Sequence, residues 1–172
     1  MKMEELRALQ APIKERYKER PDTALITLKA EGRLGEGVSC NVQTGKAIVA
    51  AGLHPATGGN GMMACSGDML LEALVACAGV TLSAVATAIG VVIQSGAVRA
   101  EGDLDFRGTL GTAKDVPVGF ARIRLVFELQ TDASADQLNT LLRLTERYCV
   151  VYQTLRQSPE MTVSHHAFSS AG

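Results

Sequence analysis

Two cysteines, Cys77 and Cys149, are the residues of this 172-residue chain best suited to chemistry. Cys77 ends the apolar stretch Leu70-Leu71-Glu72-Ala73-Leu74-Val75-Ala76-Cys77. Cys149 ends Leu141-Leu142-Arg143-Leu144-Thr145-Glu146-Arg147-Tyr148-Cys149. They stand too far apart for a CxxC redox motif, and neither has a neighbouring pair that would make a zinc knuckle. A thiolate can attack an electrophilic oxygen, and a second thiol can close a disulfide on the oxidised first. The competing reading is that each is a small buried hydrophobe. The two thiols are not equivalent: the partial negative charge at a helix C-terminus disfavours a thiolate, so Cys149 suits resolution better than attack.

Other polar residues give weaker signals. Arg33 stands in the glycine-flanked segment Glu31-Gly32-Arg33-Leu34-Gly35, which reads as a loop. No helix follows it, so the glycines do not form a dinucleotide fingerprint. Asp68 and Glu72 open a helix, where acids are favoured by the dipole alone. A metal site would need His54, His165 or His166 to converge with a cysteine, and nothing in the spacing requires that.

The elements that must position the thiols follow from periodicity. A charged, helix-prone segment covers 3–20, interrupted or restarted at Pro12 and ended by Pro21. Residues 23–30 read as a strand. Val38, Cys40 and Val42 alternate, and the turn at Thr44-Gly45 leads to a partner strand at 47–50. A glycine-rich loop covers 55–61. A long helix is expected over about 68–89, with small residues at 73, 77, 80, 84 and 87 on one stripe. Gly90 is its expected C-cap, with Val91-Val92-Ile93 turning to strand. Residues 98–107 and 123–129 alternate as strands with one wet face. Ser134-x-x-Gln137 is a capping box opening a second helix, whose apolar face includes Cys149. Residues 161–168 read as a last strand. The order implies an α+β domain with antiparallel pairing.

Composition narrows the function. With 17 basic and 18 acidic residues the net charge is −1, which gives no electrostatic footprint for nucleic acid. No Trp and few aromatics argue against a base-stacking surface. The uncharged run 73–93 is long enough to span a bilayer, yet it is rich in Ala, Gly, Ser and Thr and lacks the flanks that anchor a span. A fully buried central helix is the expectation, with no membrane partner. No apolar targeting segment follows the first charges, so the expected location is cytoplasmic, with the cysteines reduced.

The combination of motifs resembles the OsmC/Ohr family. It rests on Ala30-Glu31-Gly32-Arg33-Leu34-Gly35, the turn at Gly45, Pro55 with Gly58-Gly59-x-Gly61, the Cys77 helix, and Glu146-Arg147-Tyr148-Cys149 followed by Thr154-Leu155. It covers about 23–168, leaving 1–22 as a helical extension to an OsmC-like domain at 23–172. The resemblance implies an antiparallel sheet wrapped around a long buried central helix, in an intertwined homodimer with sites at the interface. It implies a thiol-dependent peroxidase of organic hydroperoxides, with Cys77 as the attacking thiol and Cys149 resolving its sulfenic acid as a disulfide. Arg33 would support the thiolate, held by an acid near the start of the central helix, Asp68 or Glu72. No bound cofactor is implied; an external dithiol, lipoyl-type, would restore the thiols. The alternatives are a non-catalytic, stress-associated binding protein of the same fold with redox-sensitive cysteines, and a structural dimer with inert thiols. The chain departs from the family pattern at Gly67, where proline usually precedes the acid, and at Val150, where proline usually follows the second cysteine.

Overall fold

A 24-residue helix, α2 (Ser66–Ile89), is the axis on which the described elements are assembled. The computed structural model describes residues 2–20, 32–34, 39–43 and 48–167, with backbone alone for 9, 13–18, 32–34 and 39–43. Before α2 come helix α1 (Met3–Glu19) and strands β1 (Gly32–Leu34), β2 (Ser39–Gln43) and β3 (Ile48–Gly52). After it come β4 (Ser95–Leu104), a single turn α3 (Phe106–Thr109), β5 (Phe120–Gln130), α4 (Ala135–Tyr148) and α5 (Val150–Arg156). Among the described residues the strands form two antiparallel sheets, β1-β2-β3 and β4-β5. This is the expected mixture of helix and antiparallel sheet.

The β4–β5 hairpin shows why alternation is a strong signal. Val98 pairs with Phe127, Ala100 with Leu125 and Gly102 with Ile123, all on one face. Arg99, Glu101 and Asp103 fall on the other, opposite Val126, Arg124 and Arg122. Arg124 bonds Asp103 at 2.7 Å and Glu101 at 3.2 Å, and Arg99 pairs with Glu128 at 2.8 Å. Such exposed pairs contribute little each, but they keep this face in water. The apolar face meets α2 and α4. There Leu82, Val85 and Ala86 of α2 cluster with Val91 and Leu141 of α4, ringed by Ile93, Phe127, Leu129, Leu138 and Leu142.

Helix ends follow local chemistry. Gly90 caps α2 at φ 74°, a left-handed conformation that glycine adopts without steric cost. Ser134 and Gln137 form the capping box of α4.

Several expectations need correction. Pro12 neither breaks nor restarts α1, which runs through it and forgoes only the N–H that proline lacks. Arg33 lies in β1, opposite Asn41, because pairing with β2 supplies the hydrogen bonds that make Gly32–Leu34 a strand rather than a loop. Within 55–61, Pro55–Thr57 forms a 3-10 turn, capped by His54 Nδ1 accepting from the Ala56 N–H at 3.1 Å. Residues 91–93 are not strand: Val91 is buried as an anchor of the core, and β4 starts at Ser95. It ends at Leu104, because Asp105 caps α3 by accepting from the Arg107 N–H. Residues 161–167 carry no regular structure, although their pattern suggested a strand. The strand expected over 23–30, the turn at 44–45 and Phe168 lie outside the described residues. The expected full burial of the central helix is not met among the described residues: Val80 is 73% exposed, and Leu70 and Ile89 are each 39% exposed.

Candidate active site

The two sequence-selected cysteines meet where α4 bends into α5. Cys149 is at once the C-cap of α4 and the N-cap of α5, with φ −75° and ψ 108° breaking the helix between them. Its N–H still donates to the Thr145 carbonyl at 2.9 Å, and its carbonyl accepts from the Gln153 N–H at 3.0 Å. The bend is stapled: Gln153 Nε2 donates to the Glu146 carbonyl at 2.7 Å, satisfying a carbonyl that a helix C-terminus leaves orphaned. Tyr152 reaches back to the Glu146 carboxylate at 3.5 Å. Thr145, buried on the inner face of α4, satisfies its hydroxyl on the Leu141 carbonyl at 2.8 Å.

This bend aims the first amides of α5 at sulfur. The Cys149 side chain makes no capping hydrogen bond to them. Burial alone pushes the Cys77 thiol up, but it is outweighed by the Val151 N–H, the Cys149 side chain, the Val150 N–H and the Thr81 side chain, so the Cys77 pKa lies below the ordinary thiol value. For Cys149 the balance reverses. Burial raises it, and the hydrogen bond and charge of Cys77 raise it further, against lowering contacts from the Tyr152 and Val151 amides. The two thiols are thus set apart, with Cys77 giving up its proton more readily than Cys149. Cys149 is 1% exposed and Cys77 is partly buried, so Cys77 is the more accessible of the two.

The other expected site residues are not gathered here. Asp68 and Cys77 are nine positions apart in sequence, which puts them on opposite faces of α2 at about 100° per residue. Asp68 lies instead with Leu71, Glu72, Val75, Ala76 and Ala100 around a separate hollow. The Arg33 side chain and Cys40 side chain lie outside what is described. Cys65 is the N-cap of α2, without a side-chain cap bond. His54 is engaged structurally, stacked on Phe106 with ring centroids 4.7 Å apart.

Sequence reasoning missed Thr81 and the amides of Val150 and Val151. Thr81 was findable, being one helical turn from Cys77. The amides were not, because Val150-Val151-Tyr152 carries strand rather than helix propensity.

A second feature is a cleft that neither cysteine lines. The apolar face of β5 and the α4–α5 bend enclose a cleft of about 480 Å³, with Leu74 among its lining residues, one turn before Cys77.

Comparison with known proteins fits this architecture to a class. The profile of the OsmC-like protein family matches residues 59–164, a span that includes both cysteines and excludes Arg33. The chain belongs to the OsmC family. No curated protein matches the sequence significantly. Among solved structures it is similar to an OsmC-like protein from Mycoplasma pneumoniae, with TM-score 0.64 and 18% identity over 77% of this chain and 89% of that one. It is also similar to an organic hydroperoxide resistance protein OsmC from Legionella pneumophila, with TM-score 0.60 and 16% identity over 77% and 91%. A third is an organic hydroperoxide resistance protein from Elizabethkingia anophelis, with TM-score 0.59 and 15% identity over 78% and 91%. At these identities the likeness is one of fold.

Proposed function

We propose that the chain is a thiol-dependent peroxidase that reduces organic hydroperoxides to alcohols. The observation that carries this reading is the meeting of partly buried Cys77 with buried Cys149 at the α4–α5 bend, where the pKa of the first is lowered and that of the second raised. The Cys77 thiolate attacks the terminal oxygen of the hydroperoxide. A sulfur–oxygen bond forms as the O–O bond breaks, and the alkoxide takes up a proton and leaves as the alcohol. Cys77 is now a sulfenic acid. The Cys149 sulfur attacks it, the S–S bond forms, and the hydroxyl leaves as water. An external dithiol, lipoyl-type by family resemblance, restores both thiols by exchange. Such a resting state requires a reducing compartment such as the cytoplasm.

A lowered pKa accounts for little of the rate. Bringing a thiol from about 8.5 to about 6 raises its thiolate fraction at neutral pH roughly 30-fold. Nucleophilicity falls with a Brønsted slope of about 0.4–0.5, which returns roughly 10- to 20-fold. The larger contribution falls to a donor on the peroxide oxygens as charge develops on the leaving one, the role we assign to Arg33. Its planar fork can engage two oxygens, which lysine cannot. Arg33→Lys is therefore expected to lose nearly as much peroxide reduction as Arg33→Ala; full activity in the lysine variant would reduce the role to charge.

We further propose a homodimer, with the exposed face of α2 against a second copy. Asp68 and Cys77 face opposite sides of α2, so Arg33 would have to bridge them or one partner would come from a second copy, and the family resemblance favours the second copy. The Ser83 and Thr87 hydroxyls on this side are satisfied by Gly79 and Ser83 carbonyls of α2 itself, at 3.0 and 2.8 Å, leaving a face fit for apolar contact. An interface of this kind buries about 2,000 Å² or more.

The deciding experiment is intact-mass analysis after one equivalent of an alkyl hydroperoxide, with peptide mapping. Loss of two hydrogens, mapped to Cys77–Cys149, is expected. No mass change, or a bridge between Cys40 and Cys65, would overturn the assignment and favour thiols that do not turn over.

A further inference from the structure

The sheet that carries Arg33 is tied to the start of the helix that carries Cys77 by a short backbone bridge, and a methionine side chain lies on it. In the three-stranded sheet Arg33 stands opposite Asn41, and Asn41 opposite Ala50. The Ala50 carbonyl accepts from the Ala64 N–H at 3.0 Å, and the Gly52 N–H donates to the Ala64 carbonyl at 3.0 Å. These two bonds pair Ala51 with Ala64 in parallel, and the next residue, Cys65, is the N-cap of α2. A row of paired backbone therefore runs from Arg33 through Asn41 and Ala50 into the segment that opens α2.

Met63 seats its side chain on this bridge. A Cβ at position 52 would stand 2.9 Å from the Met63 sulfur, so the bare glycine is what lets the thioether lie this close to β3. The sulfur is not sealed there. Met63 is 36% exposed, and it lines a hollow of about 220 Å³ with Leu53, Gly58, Gly59 and Asn60. Met62 and Met161 are 84% and 82% exposed, so an oxygen added to either meets water rather than packed backbone.

We propose that Met63 is a modification site, whose oxidation to the sulfoxide opens the Ala51–Ala64 bridge and so uncouples the Arg33 strand from α2. The thioether sulfur attacks the terminal oxygen of a hydroperoxide. A sulfur–oxygen bond forms as the O–O bond breaks, and the alkoxide takes up a proton and leaves as the alcohol. Sulfur loses two electrons and the peroxide gains them. The product is a polar, chiral side chain, and burying its oxygen without a donor is costly. The nearest backbone donors, the N–H groups of Gly52 and Ala64, are already spent across the bridge. The sulfoxide must leave Gly52 or compete for those N–H groups, and either opens the bridge. Methionine sulfoxide reductases reverse the change. The loss of hydroperoxide reduction that follows rests on the peroxidase reading and on Arg33; the opening of the bridge does not.

The test uses the full chain, as wild type and as Met63→Leu, which keeps the apolar bulk without an oxidisable sulfur. Each is treated with excess hydrogen peroxide and then with dithiothreitol, which returns disulfides to thiols and leaves sulfoxides in place. Peptide mapping is expected to find an added oxygen on Met63, following those on Met62 and Met161. Amide hydrogen exchange at Gly52 and Ala64 should then accelerate roughly tenfold in the wild type and stay unchanged in Met63→Leu. Hydroperoxide reduction should fall only in the oxidised wild type, and methionine sulfoxide reductase should restore both readouts. Met63 left intact once Met62 and Met161 are sulfoxides, or a Met63 sulfoxide with unchanged exchange, would overturn the proposal. So would equal acceleration in Met63→Leu. Faster exchange with undiminished hydroperoxide reduction would overturn the coupling to Arg33. Faster exchange in a chain that reduces no hydroperoxide even before oxidation would sustain the Met63 site and remove the peroxidase reading alone.

Discussion

The two sides of α2 are nearly alike in sequence and opposite in circumstance. On one side Leu74, Ala78, Leu82 and Ala86 are at most 4% exposed, covered by α4 and the β4–β5 hairpin. On the other, Ala73, Ala76 and Val80 face solvent. The covered side leads to Cys77, and the whole thiol arrangement is completed there by α4 and α5 of the same chain. The open side has no comparable cover among the described residues. The contrast teaches that thiol pairing and helix burial are separate problems here, and that the described residues solve only the first. It also explains why this helix is long and apolar enough to pass as a membrane span.

The thiol side breaks most sharply at sulfur. Cys77→Ser should abolish hydroperoxide consumption. Cys149→Ser should keep a single turnover and accumulate sulfenic acid at Cys77, since nothing remains to condense with it. Trapping with a sulfenic-acid reagent distinguishes the two, and equal loss of the first turnover in both variants would erase the division of labour.

The open side is tested by Val80→Glu. At a residue 73% exposed in the subunit, the change should cost a lone subunit no more than about 0.5 kcal/mol. Buried between two copies, an unpaired carboxylate costs several kcal/mol. If the proposed dimer forms, the wild type should sediment at twice the chain mass and the variant as a folded monomer, with a Tm that no longer depends on concentration. An unchanged dimer mass would place the interface elsewhere.

These two sides were unequally legible in the sequence. Alternation announced β4 and β5 because one face meets water and the other the core, a contrast written in residue type. The capping box at Ser134 was equally plain, since it needs only local chemistry. The central helix was legible as a helix, but its burial was not, because apolar residues on all sides do not say which neighbour covers which face. Cys77 and Cys149 were chosen from their motifs. Their proximity depends on the bend at Cys149, and that bend hides α5 behind the β-branched pair Val150-Val151. The C-terminal segment 161–167 shows the converse, a strand pattern without a strand among the described residues, since pairing needs an edge that periodicity cannot supply.

The smallest expected effect isolates a single N–H. Val150 is the first residue of α5, a position whose backbone proline tolerates because its φ is already helical. Val150→Pro should thus keep the bend while removing one of the donors to Cys77. Val150→Ala keeps the donor and removes only side chain. The Val150 amide is one of the groups that lower the Cys77 pKa, so the proline variant should raise it toward the ordinary thiol value. The sign follows from which form is stabilised: the amide favours the thiolate, so its loss returns Cys77 toward the ordinary thiol value and lowers the thiolate fraction at neutral pH. Iodoacetamide alkylation against pH reads this directly, with Cys149→Ser as background so that only the attacking thiol of the pair reports. The alkylation curve should move to higher pH in the proline variant and stay in place in the alanine variant. Equal displacement in both would assign the effect to packing by the valine side chain, and the first amide of α5 would lose its part in activating the thiol.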